Sequence, residues 1–320
     1  MAHRLLVVGG NGFLGSAVCK EAVGRGWHVT SISSSGKPYQ TPKGHSPAWT
    51  SDVEWKTASA MDPTSYEEHL SKSSSVVHTI GTLFPDAGYK AALQSGNIPA
   101  LLRILFSANN QNPLQGGSQG PSLYDTLNHD SALTVLATFL SNATSTASES
   151  DKDRTFVYIS AEDVFRPFVP SQYIESKRKC EREIRRMCES ADSPVRSIFI
   201  RPGLIYHPHL RPILSPAAAL LSLSATLHDQ PAHVLPTPAD ALRKLGSLSR
   251  SLNDTPPASH SLANLLETHP IHVEQVAQAI CLAIERPDVE GPVNVKEMRR
   301  LIGWGTSDGV EQSAQPLGQS

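Results

Sequence analysis

A doubly wound α/β fold, a parallel sheet with helices on both faces, is the class the sequence predicts, and three observations carry it. The chain opens on a short, continuously apolar run that ends in glycines, the pattern of a strand buried on both faces. An amphipathic helical pattern follows at once, and the strand–helix alternation continues to about residue 206. Hydrophobic residues make up 39% and charged residues 18% of 320 positions, which excludes a disordered chain and a membrane bundle.

The elements follow in order. Residues 4–8 form the first strand, and Phe13, Leu14, Ala17, Val18, Ala22 and Val23 recur at helical spacing until Gly24 and Gly26 stop them. Strands are expected at 28–32, 53–58 and 75–80, with a helical stretch around 66–70. A helix at 128–139, a strand at 155–159, a long basic helix at 173–189 and a strand at 195–200 complete residues 1–206 as one nucleotide-binding domain. Polar insertions interrupt it near 33–51, 109–122 and 141–153. From 207 to 302 a smaller C-terminal region begins, rich in proline, with a helix at 273–285; residues 303–320 read as a disordered tail. The apolar stretch at 213–227 is expected to pack into the core, a partner- or membrane-facing helix being the alternative.

A formal charge of -2 offers no global field for nucleic acid. Cys19, Cys180, Cys188 and Cys281 show no metal-site spacing, so no metal is expected. Cys180 and Cys188, on one helix, would stand about 12 Å apart, too far for a disulfide. The strand pattern starts too near Met1 for a signal peptide.

Gly9, Gly10, Asn11, Gly12, Phe13, Leu14 and Gly15 satisfy G-x-G-x-x-G between strand and helix. Such glycines let a pyrophosphate approach the backbone while helix amides and dipole face the anion. A dinucleotide fold tests the adenosine ribose roughly 20 residues on, with an acid for NAD or a base for NADP. No acid lies between Glu21 and Asp52, and Ser33, Ser34 and Lys37 can take a 2′-phosphate, which favours NADP while leaving NAD open.

Tyr173 and Lys177 form a Y-x-x-x-K pair on one helix face. A nearby ammonium lowers the phenol pKa, so tyrosine can exchange a proton with a carbonyl or alcohol oxygen during hydride transfer. Tyr39 and Lys43 share the spacing, but Pro42 lies between them in a loop. Ser160, thirteen residues before Tyr173 at a strand end, completes a candidate Ser/Tyr/Lys constellation.

These motifs, with Val-Val-His-Thr-Ile-Gly-Thr-Leu (76 to 83), Tyr-Ile-Ser-Ala (158 to 161), Tyr-Ile-Glu-Ser-Lys-Arg (173 to 178) and Ile-Arg-Pro-Gly-Leu-Ile-Tyr (200 to 206), resemble the short-chain dehydrogenase/reductase superfamily in its extended or atypical branch. Within it they resemble a fungal mitochondrial group of the coenzyme Q biosynthetic complex, related to the Rossmann accessory subunit of respiratory complex I. The resemblance implies a Rossmann fold, NADP-type binding, residence on the matrix side of the mitochondrial inner membrane with peripheral membrane contact, and a quinone-biosynthesis complex as partner. It implies roles for Gly9, Gly12 and Gly15 in the phosphate loop, Asp62 beside adenine, Gly81 after the fourth strand, and Asn128 with Tyr173 and Lys177 in catalysis. Ala161 falls where the catalytic Ser or Thr is usual, with Ser160 one residue early, and Ser34 replaces a frequent arginine.

Three functions compete: an NADP-dependent reductase on a small quinone-ring intermediate, a nucleotide-loaded subunit of the ubiquinone-synthesising complex, and a nucleotide-sugar epimerase or dehydratase. The C-terminal region offers no obvious diphosphate clamp of paired arginines: Arg243 and Arg250 lie in an irregular stretch and read as surface charge.

Overall fold

The computed structural model describes residues 3–81, 126–142, 154–164, 166, 169, 171–191, 195–210, 214–228, 237–248 and 258–304. The expected insertion at 109–122, nearly all of that at 141–153, and residues 305–320 of the expected tail lie outside them.

Strands β1 (Arg4–Val8), β2 (His28–Ser33), β3 (Val53–Thr57), β4 (Ser75–His78), β5 (Thr155–Ile159), β6 (Arg196–Arg201) and β9 (Gly291–Asn294) form one parallel sheet in the order β3-β2-β1-β4-β5-β6-β9. A two-stranded parallel ribbon pairs β7 (Ile205–Tyr206) with β8 (Ile271–His272). The helices are α1 (Phe13–Gly24), α2 (Glu67–Ser71), α3 (Ser131–Ser141), α4 (Ser171–Glu189), α5 (Leu214–His228), α6 (Pro238–Leu248), α7 (Ala258–Glu267), α8 (Val273–Glu285) and α9 (Val295–Leu301). Strand order reverses between β1 and β4, the switch point where open α/β sheets open a crevice at their carboxyl ends.

Side-chain alternation divides the core. Leu5, Val7, Val77, Val157 and Ile198 share a cluster with Val18 of α1 and Ile280 of α8, while Leu6, Val8, Val76, Phe156 and Phe199 join Leu136 of α3 and Ile184 of α4. Each fully buried side chain of this size is worth about 1.5–3 kcal/mol. All four cysteines are buried and unbonded.

Strand β9, drawn from the 207–302 region, pairs with β6 through Ile198↔Gly291 to Arg201↔Asn294. Arg196 fastens this part of the molecule: its guanidinium donates to the carbonyls of Ala283, Ile284, Arg286 and Val289 at the end of α8 and to Thr155 Oγ1. Element ends shift slightly. The strands expected at 53–58 and 75–80 stop at Thr57 and His78, and the helix expected from 128 begins as a π turn, Thr126–Asp130. The 33–51 segment is folded onto the body, with Trp49 between Tyr39 (ring centroids 5.9 Å) and Trp55 (6.3 Å). Core packing at 213–227 is not what α5 does. Ala218 and Ala225 face inward, whereas Leu220, Leu223 and Leu227 are 71%, 59% and 54% exposed.

Candidate functional site

The crevice has two ends. At the first, Gly9 follows β1 at φ 86°, a left-handed conformation open to glycine, and its N–H donates to Ile32 O at 2.8 Å. A Cβ on Gly15 would lie 2.3 Å from Gly9 O, so α1 seats directly on the turn, and one on Gly10 would lie 2.3 Å from Ser31 Oγ. Gly12 differs. A Cβ there would meet only Gly9 O, at 3.1 Å, so its outward side is open. Gly12 caps α1 without a side-chain hydrogen bond and no acid lies in the first turn, leaving an electropositive helix end above the crevice; Leu14 turns into the core.

The loop after β2 borders this end. Asn11 Nδ2 donates to Ser35 Oγ at 3.0 Å, and Ser33 Oγ accepts from Gly36 N at 3.1 Å. Ser34 and Lys37 are exposed, so the loop presents hydroxyls and one ammonium and no carboxylate. Asp62, in the turn after β3, is exposed and accepts from Thr64 Oγ1 at 2.7 Å. These residues fit a nicotinamide dinucleotide: a glycine turn pressed against a helix N-terminus suits a pyrophosphate, and the hydroxyls of the neighbouring loop suit a ribose.

At the second end, a Cβ on Gly81 would stand 2.8 Å from Asn128 Oδ1 and 3.0 Å from Lys177 Nζ, so these three residues converge. Lys177 is 2% exposed; its Nζ donates to Ile159 O at 2.8 Å and lies 4.6 Å from the Tyr158 ring centroid and 6.0 Å from that of Tyr173. Burial pulls its pKa down to about 8 against the opposing influence of Cys180 and Glu181. Tyr158 donates its hydroxyl proton to Asn128 O, which fixes the π turn. His78, within hydrogen-bond reach of Ser131 Oγ at 3.2 Å, is pushed down to about 3 by burial and by Lys177, so it is neutral beside the lysine. A half-exposed Tyr173 stands one helical turn before Lys177.

Ser160 is placed differently. Its hydroxyl, buried at 2% exposure, accepts from Arg178 Nη1 at 3.1 Å, and Arg178 also donates to Ala161 O at 2.9 Å and to Glu181. Glu181 in turn pairs with Arg201; burial raises its pKa, but the two arginines hold it below its ordinary value. Sequence reading had singled out neither Arg178, Tyr158 nor His78 for a role. Arg178 follows Lys177 directly and so lies about 100° round the helix from it, and spacing alone does not say which strand end it reaches.

Residues 5–248 match the family model described as the NAD dependent epimerase/dehydratase family. The chain is 31% identical over 302 residues to MIOREX complex component 2 of Saccharomyces cerevisiae, covering 93% of this chain and 99% of that one. Among solved structures it is similar in fold to a short-chain type dehydrogenase/reductase from Mycobacterium ulcerans (TM-score 0.51, 14% identity, 92% of this chain and 90% of that one). It is also similar in fold to the Bordetella bronchiseptica enzyme WbmF in complex with NAD+ (TM-score 0.50, 14% identity, 92% and 72%).

Proposed function

We propose that this chain, which belongs to the NAD dependent epimerase/dehydratase family, is a nicotinamide-dinucleotide-binding subunit of a mitochondrial complex, acting in ubiquinone synthesis with NADP as its dinucleotide. The observation that supports the binding is the closure of Gly15 onto Gly9 with Gly12 left open at a helix N-terminus, which leaves room for a pyrophosphate to approach the backbone. Ser33, Ser34 and Lys37 receive the 2′-phosphate, and Asp62 lies toward the adenine. Residence in a complex draws support from the yeast relative, whose name makes it a complex component. The ubiquinone assignment, and the inner membrane's matrix side as its place, rest on the motif resemblance alone.

A reductase is the second reading, and Tyr173 with Lys177 favours it. A bound nicotinamide would supply the hydride. Lys177 would hold the ribose hydroxyls and keep the Tyr173 phenol acidic, Asn128 would fix the lysine's surroundings, and Tyr173 would pass a proton to a carbonyl oxygen of a small quinone-ring substrate. Ser160 accepts from Arg178 and gives its own hydroxyl proton to Glu181, so it is available to that oxygen only if these contacts open, which is why the subunit reading stands first. The nucleotide-sugar reading lacks a clamp: Arg243 is spent on Glu267 and Asn264, and Arg250 lies outside the described residues.

Calorimetric titration of the purified protein with NADPH and NADH tests the proposal. NADPH should bind tighter by about fivefold, roughly 1 kcal/mol, and no binding of either would end it. Consumption of NADPH with quinone-ring intermediates would replace the subunit reading by the reductase one.

A further inference from the structure

We propose that the outer face of α4 docks an acidic segment of a partner protein. Arg178, Arg182, Arg185 and Arg186 on this helix, with Arg201 at the end of β6, line an open cleft of about 400 Å³ whose other lining residues are Glu181 and Glu189. Two of the five arginines serve the fold, since Arg178 and Arg201 both pair with Glu181. Arg182, Arg185 and Arg186 are exposed and form no ion pair with any described residue; the Arg185 guanidinium lies 5.7 Å from the ring centroid of the buried Phe199. Like charges three and four residues apart on a helix cost about 0.2–0.5 kcal/mol per pair, so the fold gains nothing by grouping them.

The occupant follows from the pattern. A guanidinium fork suits a carboxylate held by two parallel hydrogen bonds, which lysine would not distinguish. Arg182 and Arg186 stand one turn apart, about 6 Å, and alternate residues of an extended peptide are spaced by about 6.6 Å, so acids at every second position meet successive arginines. Glu189, exposed at one end, interrupts the positive stripe, whereas Glu181 is buried and held by Arg178 and Arg201. Glu189 repels a continuous phosphate backbone and leaves room for a chain whose neutral residues fall between its acids. A net charge of -2 adds no long-range pull on nucleic acid. The cleft is made of α4 and Arg201, so the proposal stands whether or not a dinucleotide binds.

Fluorescence anisotropy of the full chain with a labelled dodecapeptide of alternating Glu and Ser, at about 50 mM salt where screening is weak, reads the interaction. Arg182→Glu/Arg186→Glu should weaken binding by about tenfold or more with an unchanged thermal transition, and raised salt should weaken wild type likewise. If the reversal lowers the transition, Arg182→Gln/Arg186→Gln takes its place and should show the same loss in smaller degree. Equal affinity of wild type and the folded variant overturns the proposal. So does binding of a single-stranded RNA dodecamer, or of phosphatidylcholine/phosphatidylserine vesicles, through these arginines when the peptide does not bind.

Discussion

The two ends of the crevice are built from different material. Around residues 9–15 the surface is backbone: glycines pressed to within a Cβ of one another, with a helix end and no side-chain cap. Around Lys177 it is side chain: a buried ammonium, an amide, a phenol, and a serine hydroxyl turned toward Arg178. At the glycine end Gly10 and Gly15 leave no room for a side chain, while Gly12 is open on its outer side. The lysine end is held by side-chain contacts that also serve the fold, those of Ser160 and Arg178 among them, so it is there that the reductase and subunit readings part.

The largest expected effect breaks the glycine end. Gly12→Asp should fold, because its Cβ meets only one carbonyl, at 3.1 Å, yet calorimetry should find no dinucleotide binding, the carboxylate repelling the pyrophosphate. Tyr173→Phe addresses the other end: any turnover should fall about a hundredfold to ten-thousandfold while affinity stays put, since the phenol acts on substrate oxygen. In cells lacking the protein, full rescue of quinone synthesis by Tyr173→Phe but not by Gly12→Asp would make the lysine end a binding surface only.

Acidity gives a third contrast. The folded protein releases the Lys177 proton near pH 8, whereas the unfolded chain holds it to about 10.5. Between those values the unfolded state binds more protons, so stability should climb with pH by an amount on the order of 3 kcal/mol, the full penalty being present below pH 8. Denaturant titrations from pH 7.5 to about 10 on wild type and Lys177→Met should differ in slope, the variant losing this rise. The smallest effect sharpens the reading of Ser160: Ser160→Ala should cost about 0.5–1.5 kcal/mol for the hydrogen bond with Arg178 and leave any NADPH oxidation rate unchanged. A hundredfold drop in that rate would return the serine to the reacting centre.

Legibility in the sequence followed the same division. The glycine loop and its flanking strand and helix were readable because backbone demands are local: a close approach needs glycine wherever it occurs. Tyr173 and Lys177 were readable because helix spacing fixes a shared face. How Ser160 is held was not, since its partner Arg178 is eighteen residues away and is selected by how α4 crosses the end of β5. Strand β9 escaped because four residues containing a proline, buried on alternate positions only, look like a turn. The exposed leucines of α5 escaped for another reason. An apolar helix carries no sign of which face will lack a neighbour, and among the described residues no helix is long and apolar enough to cross a membrane.

That the last strand of the sheet comes from residues 291–294 bears on how the protein is made. Emerging from the ribosome at 5–20 residues per second, the chain leaves β6 with a bare edge, and Arg196 without the carbonyls of α8, for roughly 5 to 20 s. The nucleotide crevice between β1 and β4 is complete well before then. Dinucleotide bound there would hold the first half of the chain together while the far edge waits for residues 291–294 to close it.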